Sequence, residues 1–169
     1  KKDSEASSKL KLPKKIKTPN FYKPFENNEM LFGTSFHELM SKIEYSFHLE
    51  KQAKAFMENT NINRKEQQEI IGLSKKVINH KSLKEYFSKK YDVICEKEIF
   101  NQKKEIIVPD RIVVSKEQRH TIIDYKTGEK RPSDVAQIKN YEAALKNMGL
   151  KTGRSILVYV RPSIEVVEV

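Results

Sequence analysis

Glu105-Ile106-Ile107-Val108-Pro109-Asp110-Arg111-Ile112-Val113-Val114 and, five residues on, His120-Thr121-Ile122-Ile123-Asp124-Tyr125-Lys126 decide the architecture. Both runs are rich in Ile and Val, and the polar stretch Ser115–Arg119 divides them. That pattern predicts an antiparallel hairpin. Closing the hairpin with Val114 opposite His120 carries the register down the ladder and sets Asp110 opposite Asp124. Opposed Cβ atoms lie about 4.5–5.5 Å apart, and like charges there repel. Side chains alternate along a strand, so Lys126 shares the face of Asp124, while Ile123 and Tyr125 point the other way. Pro109 cannot donate to the ladder and marks an edge or a bulge.

Working outward, residues 91–100 are a further Val/Ile-rich strand, which makes 91–100, 105–114 and 120–126 a three-stranded meander. Pro132 and Ser133 open a helix over 134–148, and Gly149 ends it. Strands at 154–160 and 164–169 follow. Upstream, the spacing of Phe36, Leu39, Met40, Ile43 and Phe47 predicts one long helix over 35–58. Ser35 and Glu38 are its capping box, with Gly33 and Thr34 just outside. A second helix is expected over 64–79, with Ile70, Ile71, Leu73, Val77 and Ile78 on its apolar face, and a short third one over 81–89. Helices, then a meander, a helix and strands make an α/β (α+β) layering, with helices on a mixed sheet.

With 169 residues, one domain is expected over 21–169, behind a basic flexible lead-in at 1–20 and a Phe21–Tyr22 anchor. The chain does not begin with Met and reads as a fragment of a longer one. Its single Cys, Cys95, excludes a disulfide framework and any four-Cys zinc or iron–sulfur site. No apolar run reaches the roughly 20 residues that span a bilayer. The net charge is +10, and residues 1–23 hold eight Lys against Asp3 and Glu5. Such clustering suits a polyanion, nucleic acid before anionic lipid.

The five Asp include two set inside apolar strands, Asp110 and Asp124, where an unpaired carboxylate is costly. Two close carboxylates coexist when a divalent cation lies between them or one stays protonated. Oxygen donors suit Mg²⁺ or Mn²⁺. Lys126 could hold a nucleophilic water or offset charge on a phosphate. The competing reading is a surface ion pair between Asp124 and Lys126 on an exposed sheet face. His37-Glu38 followed by Ser41 fails the H-E-x-x-H zinc pattern. Glu44 and His48 share the His37 face of the expected helix. Gln137 and Tyr141 sit one turn apart on a shared face, and Tyr141 also fits the stripe Ile138, Leu145, Met148.

Pro109-Asp110 followed by Asp124-Tyr125-Lys126 resembles the signature of the PD-(D/E)XK nucleases. More specifically, the chain resembles the RecB-like nuclease domains at the C-terminus of bacterial helicase–nucleases. Gly33-Thr34-Ser35-Phe36-His37 looks like their G-x-x-x-H helix. Asp110-Arg111-Ile112 with Ile122-Ile123-Asp124-Tyr125-Lys126-Thr127-Gly128 looks like their DR…DYKTG core, and Gln137-Ile138-Lys139-Asn140-Tyr141 like their Q-x-x-x-Y motif. The resemblance runs over about residues 31–160. It implies a restriction-endonuclease-like core, with 59–90 as an extra helical insertion. It implies His37, Asp110, Asp124 and the Tyr125 main-chain carbonyl as metal ligands, and Lys126 as the catalytic lysine. Gln137 and Tyr141 would support the site or contact the DNA backbone. A glutamate is often found near Glu96 and Glu98 in these domains, and the sequence does not choose between them.

The expected function is therefore Mg²⁺- or Mn²⁺-dependent hydrolysis of DNA, exonuclease before endonuclease, in repair or recombination in a bacterial cytoplasm. The iron–sulfur branch of these nucleases needs four cysteines, so no cluster is expected. No G-x-x-x-x-G-K-[ST] loop occurs, so a helicase module would lie upstream in the same chain or on a partner subunit. No membrane partner is expected. The alternatives are a catalytically inactive nucleic-acid-binding module of the same fold and a docking domain within a repair complex.

Overall fold

The hairpin forms in the expected register. Strand β4 (Arg111–Val114) pairs antiparallel with β5 (Arg119–Lys126), with Val114 opposite His120 and Arg111 opposite Ile123. The structure is a computed structural model that describes residues 28–169. The lead-in over 1–20 and the Phe21–Tyr22 anchor lie outside the described residues.

Strand β1 (Asp92–Cys95) adds antiparallel to β4. On the other side β6 (Lys151–Tyr159) runs parallel to β5, and β7 (Glu165–Glu168) antiparallel to β6. The five-stranded order is β1-β4-β5-β6-β7. A parallel neighbour needs a crossover, and helix α4 (Pro132–Asn147) supplies it. Residues 120–125 of β5 are buried, as fits a strand covered on both faces.

Side-chain alternation divides β5 between two cores. Ile123 and Tyr125 face α1 (Asn28–Ser41) and α3 (Arg64–Asn79) with Phe36, Leu39, Ile70 and Val77. Ile122 joins Ile138, Tyr141 and Leu145 of α4 on the opposite face. Asp124 therefore belongs to the α4 side.

Three expectations are corrected. The runs 91–100 and 105–114 are not continuous strands. Glu96 adopts φ 46°, a left-handed conformation that ends β1. The chain then makes a separate small hairpin of β2 (Ile99–Phe100) and β3 (Ile106–Ile107), and Pro109 returns it to the main sheet. Asp110 thus stands at the entry to β4 rather than within it.

The single helix over 35–58 is two helices. α1 starts at Asn28 and stops at Ser41, and α2 (Leu49–Asn59) follows a 3-10 turn at Ser46–His48. Ser35 is buried inside α1 and caps nothing, and Phe47 is 59% exposed. The apolar stripe instead begins one turn earlier, at Phe32. The stop has a tertiary cause, because the Arg111 guanidinium takes the carbonyls of Ile43 and Glu44 at 2.9 and 2.5 Å. Those carbonyls would otherwise accept the next helical bonds.

The third correction concerns 81–89, which forms only a 3-10 turn at Lys84–Phe87. Within 59–90 the expected helix over 64–79 forms as α3. Asn63 caps α3 by accepting from the Glu66 amide at 3.0 Å. Ile70, Val77, Leu83 and Phe87 from this stretch are buried in the main core.

Gly149 follows α4 at φ +75°, where a Cβ is penalised. Gly149→Ala is expected to cost about 1 kcal/mol, read as a lower urea midpoint at unchanged slope. Among the described residues no helix is long and apolar enough to cross a membrane.

Candidate active site

Three elements bring the expected residues to one place. The end of β5 carries Asp124, Tyr125 and Lys126, the entry to β4 carries Asp110, and α1 and α4 cover opposite faces. Helix α1 can approach because residue 33 is glycine. A Cβ there would stand 2.8 Å from Thr127 Oγ1. That approach delivers His37, one turn later, to the mouth of the hairpin. All seven expected residues (His37, Asp110, Asp124, Tyr125, Lys126, Gln137 and Tyr141) line one pocket of about 340 Å³.

Asp110 bridges helix and sheet. Its Oδ1 lies 3.1 Å from His37 Nδ1, and its Oδ2 accepts from the Tyr125 backbone amide at 2.7 Å. Asp124 is only 2% exposed, which overturns the reading of an ion pair on an exposed sheet face. Its Oδ2 meets Lys126 Nζ at 2.7 Å yet makes no directed hydrogen bond. Lys126 also donates to Gln137 Oε1 at 2.6 Å, and Gln137 Nε2 donates to Tyr141 Oη at 2.8 Å. The Tyr125 ring lies on the far face, edge-on to Phe36. Only its backbone serves this side.

Burial first, and then the nearby Asp110 charge, push the Asp124 carboxyl up to about 6, although Lys126 and His37 pull it down. For His37, burial disfavours the charged ring. The hydrogen bond and charge of Asp110, with Asp124 behind it, outweigh that and hold its pKa above the ordinary imidazole value. Burial and then the two carboxylates raise the Tyr141 phenol, so it stays protonated. The pocket thus sets two carboxylates beside the Lys126 ammonium.

Carboxylate oxygens with an imidazole are a donor set that suits Mg²⁺ or Mn²⁺. The buried Asp124 oxygen without a directed hydrogen bond fits such a ligand. Among the described residues, however, no three His, Cys, Asp or Glu side chains already stand close enough to enclose an ion. Instead Asp110 pairs with His37, and Asp124 with Lys126.

Glu44 and His48 leave the His37 face because α1 stops at Ser41. Glu96, not Glu98, lines the depression beside His37 and Asp110. Two contributors escaped the sequence reading. Asp134 lines the pocket, accepts from the Arg131 amide at 2.9 Å and meets Tyr159 Oη at 3.1 Å. Its signal was an acid in the first turn after Pro132. Arg111, 1% exposed, ties the loop after α1 to β4. Its signal was a charged residue inside an apolar run.

Comparison with curated proteins returns no match. The sequence profile of the PD-(D/E)XK nuclease superfamily, whose members are nucleases that generally use divalent metals, matches residues 6–168. With the profile covering nearly the whole chain and the mixed sheet flanked by helices in place, the chain belongs to the PD-(D/E)XK nuclease superfamily.

Proposed function

We propose that the chain is a metal-dependent deoxyribonuclease, acting as the nuclease domain of a bacterial helicase–nuclease in repair or recombination. The observation that carries it is the buried Asp124, which meets the Lys126 ammonium at the end of β5 and shares its pocket with Asp110. His37, Asp110, Asp124 and the Tyr125 carbonyl would hold Mg²⁺ or Mn²⁺. Such an ion, when bound, polarises a phosphoryl oxygen and offsets its charge.

The remaining work falls to this chain's own groups. Lys126 Nζ orients a water and stabilises the negative charge that develops on the phosphate. Gln137 keeps that ammonium aimed by accepting from it, and the protonated Tyr141 accepts from Gln137 in turn. Gln137 and Tyr141 also face the DNA backbone. The net charge of +10 draws DNA in. The family resemblance supports an exonuclease mode and a helicase upstream or on a partner subunit.

Manganese titrated into the wild type is expected to give a calorimetric isotherm that Asp110→Ala and Asp124→Ala both abolish. Chelation should stop cleavage of labelled DNA, and added Mg²⁺ or Mn²⁺ should restore it. One observation favours a second reading, the catalytically inactive nucleic-acid-binding module. Asp110 already pairs with His37, and Asp124 with Lys126. No manganese uptake, with salt-sensitive DNA binding intact, would establish that reading.

A further inference from the structure

Three depressions share lining residues with the candidate active site, and their charges differ. Between Ile106 of β3 and Ala136 of α4 lies a groove of about 580 Å³ in which no lining residue is charged. Beside α1, a depression of about 720 Å³ carries Glu29, Glu38, Glu96 and Asp110 and neither Lys nor Arg. The third is a cavity of about 1090 Å³ that takes in α3, the loop after β5 and the loop after β6. It shares Thr127, Gly128, Glu129 and Arg131 with the catalytic pocket, so the two are continuous.

The cations of this cavity are of two kinds. Lys130 pairs with Glu165, and Arg161 pairs with Glu69 while lying over the Phe32 ring. Among the described residues Arg131 and Lys76 make no ion pair, and both are exposed. Arg131 stands at the neck, because it lines the catalytic pocket as well. Its backbone is fixed at the start of α4. The amide donates to Asp134 Oδ2 at 2.9 Å, and the carbonyl accepts from the Asp134 amide at 3.0 Å. Glu29 and Glu129 line the cavity too, so individual cations rather than a general positive field distinguish it.

We infer that the DNA strand cut in the catalytic pocket continues over the Thr127–Arg131 loop into this cavity, with Arg131 binding the phosphate next to the one under attack and Lys76 binding a phosphate farther along. The inference rests on the nuclease reading and adds the path of the strand and two binding residues to it. A strand carries a negative charge on every phosphate, so its route follows cations and avoids like charge. The four acids beside α1 repel it. The uncharged groove offers a phosphate no ionic partner. In the cavity the planar fork of Arg131 matches two phosphate oxygens, and Lys76 supplies a point charge. Neither contact changes as the scissile bond breaks, so both hold the strand without entering the chemistry.

The test compares Arg131→Gln and Lys76→Gln with Lys54→Gln in the whole chain. Lys54 is exposed on α2, and the pocket it lines shares no residue with the cavity or the catalytic pocket. Its replacement removes the same charge elsewhere. Unchanged melting temperatures check that the variants fold. Binding of a fluorescein-labelled DNA oligonucleotide is read by anisotropy over a range of salt, without divalent metal. Arg131→Gln and Lys76→Gln should each flatten the plot of log affinity against log salt by about 0.7–0.9, a loss of about five- to eightfold at about 0.1 M salt. Lys54→Gln should keep the wild-type slope. With Mn²⁺, KM for DNA cleavage should rise by a similar factor in the two variants, with kcat within about twofold. Hydrolysis of bis(p-nitrophenyl) phosphate, which has no neighbouring phosphate, should be unchanged.

A wild-type salt slope in either Arg131→Gln or Lys76→Gln overturns the inference. So does an equal loss in Lys54→Gln, which would show that net charge rather than a path holds the strand. If the wild type cleaves nothing, the nuclease reading fails, and the salt slopes still decide the path.

Discussion

Lys126→Met is expected to lower DNA cleavage roughly 100- to 1,000-fold, the loss typical of removing one preorganised charge from a reacting centre. The ammonium holds two contacts at once, 2.7 Å to Asp124 and 2.6 Å to Gln137, with its side chain only 19% exposed. Methionine keeps the length and apolar stem of the side chain but carries no charge and no donor. Gln137 then loses the partner that aims it, and its bond to Tyr141 stands alone. Binding should survive within about threefold, because one charge is lost from a chain of net +10 and phosphate contacts are spread over many cations. Single-turnover cleavage alongside anisotropy separates the two effects. Cleavage within tenfold of the wild type would remove Lys126 from the chemistry.

Arg111→Met should destabilise the fold by about 3–5 kcal/mol, a large part of the roughly 5–15 kcal/mol that holds an ordinary domain together. Among the described residues Arg111 has no carboxylate partner, and at 1% exposure its charge is met by dipoles. It donates to the carbonyls of Ile43, Glu44 and Tyr86 at 2.9, 2.5 and 3.0 Å, and its guanidinium lies 4.1 Å over the Phe87 ring. Methionine fills the volume and removes the desolvation cost of the charge, which moderates the loss. It leaves the carbonyls without donors, at about 1–3 kcal/mol for each group left unsatisfied. Lysine should recover only part, since a point charge cannot reproduce the planar fork. The urea midpoint reads the effect. A change under about 1 kcal/mol would show that water or relaxed backbone satisfies those carbonyls.

The partners of Arg111 explain why its loss should also reach the site. Ile43 and Glu44 follow the helix that carries His37, and Asp110 precedes Arg111 in the chain. One guanidinium therefore clamps the helix of one candidate ligand to the strand of the other. The Asp110–His37 contact at 3.1 Å spans the two segments that this guanidinium joins.

Much of this was readable from neighbouring residues alone. Alternation along Ile122-Ile123-Asp124-Tyr125 places Asp124 on one face and Tyr125 on the other, because successive strand side chains must diverge. Pairing across a short loop placed Asp110 toward Asp124. One helical turn between Gln137 and Tyr141 put them in reach of each other. Each of these follows from backbone periodicity, which local sequence sets.

What stayed hidden involves groups that meet only after folding. Glu96 adopting a left-handed turn splits off the β2–β3 hairpin, and nothing within the run 91–100 required it. The uncharged groove joins Ile106 to Ala136, two segments with no sequence pattern in common. The length of α1 is the sharpest case. Its apolar spacing continues through Ile43 and Phe47, so local pattern favours a longer helix. The helix ends at Ser41 because Arg111, 68 residues along the chain from Ile43, supplies the hydrogen bonds that the next turn would have made. Periodicity is a property of neighbours, so the sequence determined the faces. A buried carbonyl accepts from whichever donor the packed fold brings to it, so only the tertiary structure decided where that helix stops.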